Sequence, residues 1–511
     1  MKELRKVLTI ILLAGIIIPL IMISSPANAS QVGMDIVWNP PVNISNSPGN
    51  TSTDPFLLAD PTGKVHLFWG EKVSTLPGAQ ADTLMYTVWD GNNWFKPIDI
   101  FFAPESDGNP VINYPHAVMD NNGFIHLIWL QQPNFPNYTL YYSSAFAPDA
   151  LLADSWTPEE ALATDLSGTK YSIDMAFRSS HELHILYARG QQGEGAKEER
   201  AVTYLRSLDG GVTWTDPMDI AIIKNIQNGA SDTKILVDGE KRIYATWTEW
   251  DKDGLGHAVY FARSLDNGDT WEDPIAISIT QGNEYERDWS NIEVLGPDQL
   301  VVIWEGGWRA YRNAQYSEDG GATWSRPIDT FPWLIGENGT VEFARDSNNT
   351  LHLFVAQRVR EGYLTYGDDT NPFVWHSVWE GGEKWSEPVA IPSTDKLVNP
   401  KAAITGGNQI VLTWYNPNDL EILVMTGQIQ GAPRTLLPSW IKPTATAPTI
   451  TPTSTSAPSE DASSLLKSTP FAETISSDEP ARFNITQILP VGVILIIFII
   501  GLGVILIKRR S

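Results

Sequence analysis

An eight-residue pattern, Ser-x-Asp-x-Gly-x-Thr-Trp, occurs three times in this chain. The copies are Ser207, Asp209, Gly211, Thr213 and Trp214; Ser264, Asp266, Gly268, Thr270 and Trp271; and Ser317, Asp319, Gly321, Thr323 and Trp324. Each position has a turn-forming reason. The aspartate can accept hydrogen bonds from the backbone N–H groups that follow it, and glycine supplies the positive φ of a tight reversal. The tryptophan then plants a large apolar body as the next strand begins. Turn chemistry thus accounts for the three aspartates without a catalytic role.

The octapeptides belong to a longer repeat. A tryptophan closely followed by proline recurs at Trp38/Pro41, Trp94/Pro97, Trp156/Pro158, Trp214/Pro217, Trp271/Pro274, Trp324/Pro327 and Trp385/Pro388. Between these markers a short apolar segment ends in a turn and a β-branched, aromatic run follows. Val65–Trp69, Ile125–Trp129, Leu183–Tyr187, Ile243–Trp247, Leu300–Trp304, Leu351–Val355 and Ile410–Trp414 are the seven such runs. A third strand, the octapeptide or a worn version of it, and the Trp-to-Pro strand complete each unit. Four strands per unit of about 50 residues make a propeller blade.

The octapeptide resembles the Asp box of sialidase-like β-propellers, the BNR-repeat superfamily. The chain is therefore read as all-β, an Asp-box propeller of seven four-stranded blades, or six, the sialidase number, if one worn unit is miscounted. The last unit lacks its own Trp-to-Pro strand, whereas Met34–Ile44 is such a strand with no unit before it. The N-terminal strand should complete the final blade, place Trp38 in the adjoining core and remove an open sheet edge.

The two ends carry other signals. Residues 1–29, with Lys2, Arg5 and Lys6 before an apolar run and Ala27-Asn-Ala29 after it, read as a secretory signal peptide. The propeller is expected over 30–437, a Pro/Thr/Ser-rich stalk over 438–484 and a transmembrane helix over 485–507. A basic tail over 508–511 would lie in the cytoplasm, leaving the propeller outside. There is no cysteine, so disulfides, Cys-based metal sites and Cys nucleophiles are excluded. A formal net charge of −25 disfavours nucleic acid as a partner. No pattern asks for a metal or another cofactor, and the dispersed His66, His126, His184 and His352 read as a repeated structural position.

Propeller sites lie at one mouth of the central channel, on the face opposite the octapeptide turns. Residues after the second strand and before the first are the candidates there: Glu71, Glu249, Glu305, Asp232, Asp288 and Tyr171 for catalysis, and Arg189, Arg287, Arg358, Trp289 and Tyr114 for binding. Carboxylates and aromatics converging on one mouth suit a sugar. The sialidase resemblance would imply three arginines on a substrate carboxylate, with Arg189, Arg287 and Arg358 as the trio, but no nucleophile can be assigned from it. The leading expectation is a membrane-anchored extracellular propeller that recognises a glycan or a surface protein. An exo-glycosidase of sialidase type and a structural platform without sugar binding are the alternatives.

Overall fold

In the computed structural model the described residues are 35–442, apart from 74–80, 104–110, 135–136, 167–171, 180, 191–199, 226, 254, 280–286, 308–310, 336–340, 360–372, 394–397, 407 and 431–435. The expected signal peptide, transmembrane helix, tail and all but the first residues of the stalk lie outside them. Among the described residues no helix is long and apolar enough to cross a membrane.

The chain is a seven-bladed β-propeller. Blade 1 is built from Ser52–Ala59, Val65–Glu71, Thr83–Trp89 and Ile98–Phe102; blade 2 from Val111–Met119, Phe124–Asn134, Asn137–Phe146 and Glu160–Leu166. Blade 3 takes Ile173–Ser179, Glu182–Arg189, Ala201–Ser207 and Met218–Ile222; blade 4 takes Gly229–Val237, Ile243–Trp250, Gly256–Ser264 and Ile275–Ile279. Blade 5 consists of Arg287–Gly296, Gln299–Gly306, Tyr311–Ser317 and Ile328–Asp329, and blade 6 of Val341–Arg345, Leu351–Val359, Phe373–Gly381 and Val389–Ala390. In blade 7, Val398–Ile404, Gln409–Asn416 and Glu421–Ile429 are completed by Ile36–Trp38 and Val42–Asn43 from the N-terminus.

That last pairing closes the ring. Ile36 stands opposite Ile429, Trp38 opposite Gly427 and Val42 opposite Val424. The Glu421 carboxylate, beside the junction, accepts from the Ser47 N–H at 3.1 Å and from the Ser45 hydroxyl. Trp38 is half-buried rather than enclosed, because it lies along the sheet edge over Gly427. A Cβ on Gly427 would come within 2.9 Å of its ring, so glycine here makes room for the closing strand.

Each second strand supplies the blade's centre. Trp69, Trp129, Trp247, Trp304 and Trp414 occupy equivalent positions and are fully buried. Between the blades, the octapeptides act as knuckles as well as turns. Asp209 Oδ1 accepts from the Thr213 N–H at 2.8 Å and Oδ2 from the Thr213 hydroxyl at 2.5 Å; Asp266 and Asp319 repeat the pattern. The threonine bonds hold these exposed carboxylates below their usual pKa range. The glycine and tryptophan of each copy then receive an aromatic ring from the preceding blade. Trp214 meets Tyr142, Trp271 meets Tyr204 and Trp324 meets Phe261, each edge to face at 5.1 to 5.2 Å.

The repeated histidines are structural braces. Nδ1 of His66, His126 and His184 lies 2.6 to 2.8 Å from the hydroxyl of Tyr86, Tyr142 and Tyr204. His352 pairs with His376 at 2.8 Å instead. On this same face the packing continues past 437. Trp440 covers Gly123, its indole N–H reaching Asp60 at 3.3 Å, and Lys442 bonds Asp149 at 3.0 Å.

Candidate functional site at the channel mouth

The innermost strand of five blades bulges at the same place. Each pairing skips one residue against the second strand: between Thr53 and Phe56, Asn113 and His116, Ser231 and Lys234, Asp288 and Asn291, and Val398 and Lys401. A residue at each bulge is driven to positive φ: Asp54 at 51°, Tyr114 at 52°, Asp232 at 51°, Trp289 at 53° and Asn399 at 50°. Such a backbone is costly for side chains as large as Tyr and Trp, and a bulge re-aims the residue it carries. Five equivalent outliers at the mouth mark it as a place where side-chain direction has been set at the expense of stability.

Two residues beyond these five positions, and at the same level of blades 3 and 6, stand Phe56, His116, Asp174, Lys234, Asn291, Glu342 and Lys401, all opposite equivalent second-strand positions. These side chains meet around and across the axis. Phe56 packs on His116 with ring centroids 4.3 Å apart, and His116 Nε2 lies 2.6 Å from Asp174. Lys401 pairs with Glu342, and Asn291 donates to the Val341 carbonyl at 2.6 Å. Burial pushes the Asp174 carboxyl up, but His116 and Lys234 overcome this and hold it below its usual range. Burial likewise opposes the charge on Lys234, which Asp174, Glu342 and Asp232 more than restore. Ion pairs thus link neighbouring inner strands around the axis, His116 to Asp174 and Lys401 to Glu342.

Above this level, blades 4 and 5 bring acids together. Asp288, Glu305 and Arg312 form one cross-strand row on blade 5, with Arg312 Nη2 and Glu305 Oε2 2.9 Å apart and both residues buried. Asp232, carried by the blade 4 bulge, is hydrogen-bonded to Asp288. The Trp289 N–H is shared between them, at 2.7 Å from Asp288 Oδ1 and 3.2 Å from Asp232 Oδ2. Ser231 donates to Asp232 at 3.2 Å and is itself held by the Trp250 indole N–H. Burial raises both aspartates' pKa values; the neighbouring Asp232 and Glu305 charges push Asp288 up furthest. Burial lowers that of Arg312 against the pull of Glu305 and Asp288. The Asp232–Asp288 pair therefore retains a shared proton well above the ordinary carboxyl range.

Of the residues singled out in the sequence, Asp232, Asp288, Glu305 and Trp289 are brought together here, and Tyr114 occupies the equivalent bulge in blade 2. Glu71 and Glu249 do not join them. Glu71 accepts the indole N–H of its own strand's Trp69 at 2.8 Å, and Glu249 accepts from Asn228 at 3.0 Å. Arg189 bonds Asp219 of its blade's outer strand at 2.7 Å. Arg287 and Arg358 pair through their backbones with Gly306 and Ile335, but their side chains lie outside what is described, as does Tyr171. Asp54, Lys234 and Arg312 complete the mouth and were not anticipated.

No family model matches the chain, and no curated protein matches it. Among solved structures, it is similar to a protein of unknown function from Dyadobacter fermentans, at 14% identity and a TM-score of 0.46 over 77% of this chain and 99% of that one. It is similar to an ulvan lyase of polysaccharide lyase family PL25, at 12% identity and 0.48, over 77% and 94%. A Hadza microbial sialidase gives 13% identity and 0.42, over 74% and 66%. No activity is carried over from these likenesses.

Proposed function

We propose that this propeller is a glycan-binding protein, tethered to the outside of a cell membrane by its C-terminal segment, whose ligand sits at the channel mouth over blades 4 and 5. The observation that carries the reading is the Asp232–Asp288–Glu305 cluster beside the half-buried Trp289. Carboxylates accept from sugar hydroxyls, and an indole face stacks on a pyranose ring. A shared proton lowers the local charge, which suits neutral or weakly acidic sugars better than a bare trio of carboxylates would. Glycan-array binding by the full-length protein tests the reading; binding to no glycan would overturn it.

Hydrolysis is the second reading, favoured by the proton held between Asp232 and Asp288, a general acid by construction. Yet the two are hydrogen-bonded, whereas glycosidase carboxylates stand about 5–9.5 Å apart to admit a nucleophile or water. Turnover would therefore need Glu305 as the second carboxylate, and Glu305 is committed to Arg312. Binding without turnover is the better fit. Release of fluorophore from a panel of glycosides at pH 4–8, abolished by Glu305→Gln, would reverse that order.

A further inference from the structure

At three blade junctions the groove between neighbours is filled by one device. A Cβ on Gly211 would lie 1.9 Å from the Tyr142 hydroxyl, on Gly268 2.2 Å from the Tyr204 hydroxyl, and on Gly321 2.3 Å from the Phe261 ring. Each octapeptide turn is thus pressed onto the preceding blade. Blade 6 has a different turn, Trp379-Glu380-Gly381-Gly382-Glu383-Lys384-Trp385, without the aspartate or threonine. Neither Gly381 nor Gly382 would bring a Cβ within 4 Å of anything. The turn glycines are therefore not pressed onto blade 5; the turn is held by the Trp379 indole N–H bonded to the Gly382 carbonyl at 2.9 Å and by the Trp385 indole N–H bonded to the Tyr316 hydroxyl of blade 5 at 2.8 Å.

The result is an open cleft of about 410 Å³ between blades 5 and 6, on the face opposite the mouth. Trp324, Tyr316 and Trp379 line it, with Gln299, Glu318 and Glu383 among its polar groups. Glu318 and Glu383 are exposed. Aromatic surface fixed in place beside carboxylates and an amide matches the chemistry of a sugar ring: apolar C–H faces, and hydroxyls that both donate and accept. Gln299 can do both, and the glutamates take the remaining donors. The volume lies at the small end of ligand sites and suits one or two rings.

We infer that this interblade cleft is a second carbohydrate site, independent of the mouth, that takes a single neutral pyranose unit. The test is saturation-transfer NMR and calorimetric titration of the full-length protein with glucose, galactose, mannose and N-acetylglucosamine, with tetramethylammonium as the cationic comparison. At least one sugar should bind with Kd in the range of about 0.1–10 mM, the affinity that a shallow site with few contacts gives. Trp379→Ala should weaken it by roughly tenfold or more, and the surface substitution Glu383→Gln by roughly threefold or more, consistent with a charge-assisted hydrogen bond becoming a neutral one. Trp289→Ala, in the mouth, should leave this binding unchanged. Absence of binding by every sugar, sugar binding that responds to Trp289→Ala but to neither cleft variant, or binding of tetramethylammonium alone would each overturn the proposal. Failure of the mouth reading would show separately, as indifference of array-identified ligands to Trp289→Ala.

Discussion

Gly268→Ala separates the two roles given to the octapeptide, turn and knuckle. Gly268 has φ +84°, and its Cβ would lie 2.2 Å from the Tyr204 hydroxyl and 2.6 Å from Cζ. The ring cannot easily yield, because the hydroxyl is bonded to His184 Nδ1 at 2.8 Å and the face is met by Trp271. The left-handed backbone alone should cost about 1–2 kcal/mol for alanine. Forcing a methyl into the packed junction should add about 1–3 kcal/mol. Gly49 provides the reference, since it has φ +89° and nothing within 4 Å of the added Cβ. Chemical denaturation followed by tryptophan fluorescence should therefore place Gly268→Ala below Gly49→Ala by about 1–3 kcal/mol. Equal losses would show that the octapeptide is a turn only, and the account of how blades are held side by side would fail.

Asp288→Asn should stabilise the protein at neutral pH. A carboxyl whose folded pKa is raised costs stability as pH rises from its ordinary value of 3.8 through the folded value. The variant's advantage should thus be present at pH 7 and fade toward pH 4 in parallel melts; a constant difference would remove the shared-proton assignment. A chain beginning at Asn50 loses the closing strand, with its pairing to Glu421–Ile429 and the buried Ile44. It should melt well below one beginning at Ser30, by an amount smaller than loss of a fully buried tryptophan would give, since Trp38 is only half-buried. Trp440→Ala should lower the melting temperature without altering mouth binding, because the ring seals Gly123 on the opposite face; unchanged melting would make the strap an appendage.

The blades were legible because their signals are local. A turn that needs Asp, Gly and Trp at fixed offsets announces itself wherever it occurs, and the unmatched N-terminal strand could only belong to the unit that lacked one. The mouth was legible in part. Tyr114, Asp232 and Trp289 stand among the sequence candidates before inner strands, and all three prove to be bulge residues. Glu71, Glu249 and Glu305 all closely follow the core tryptophan of a second strand. Side chains alternate along a strand, so one residue of offset decides the face. Glu71 and Glu249 stand two after their tryptophans and share their side of the sheet, whereas Glu305 stands one after Trp304 and meets Asp288 and Arg312. Arg312 and Lys234 gave no such signal, since their places depend on cross-strand register and on the bulge that shifts it.

The mouth site is tested most directly by titrating the strongest array-identified glycan into wild-type protein, Trp289→Ala and Trp379→Ala, with melting curves to verify that all three are folded. Trp289→Ala should weaken binding by roughly tenfold or more, as loss of an aromatic anchor does, while Trp379→Ala should leave the mouth affinity unchanged. Undiminished binding by a folded Trp289→Ala would contradict it.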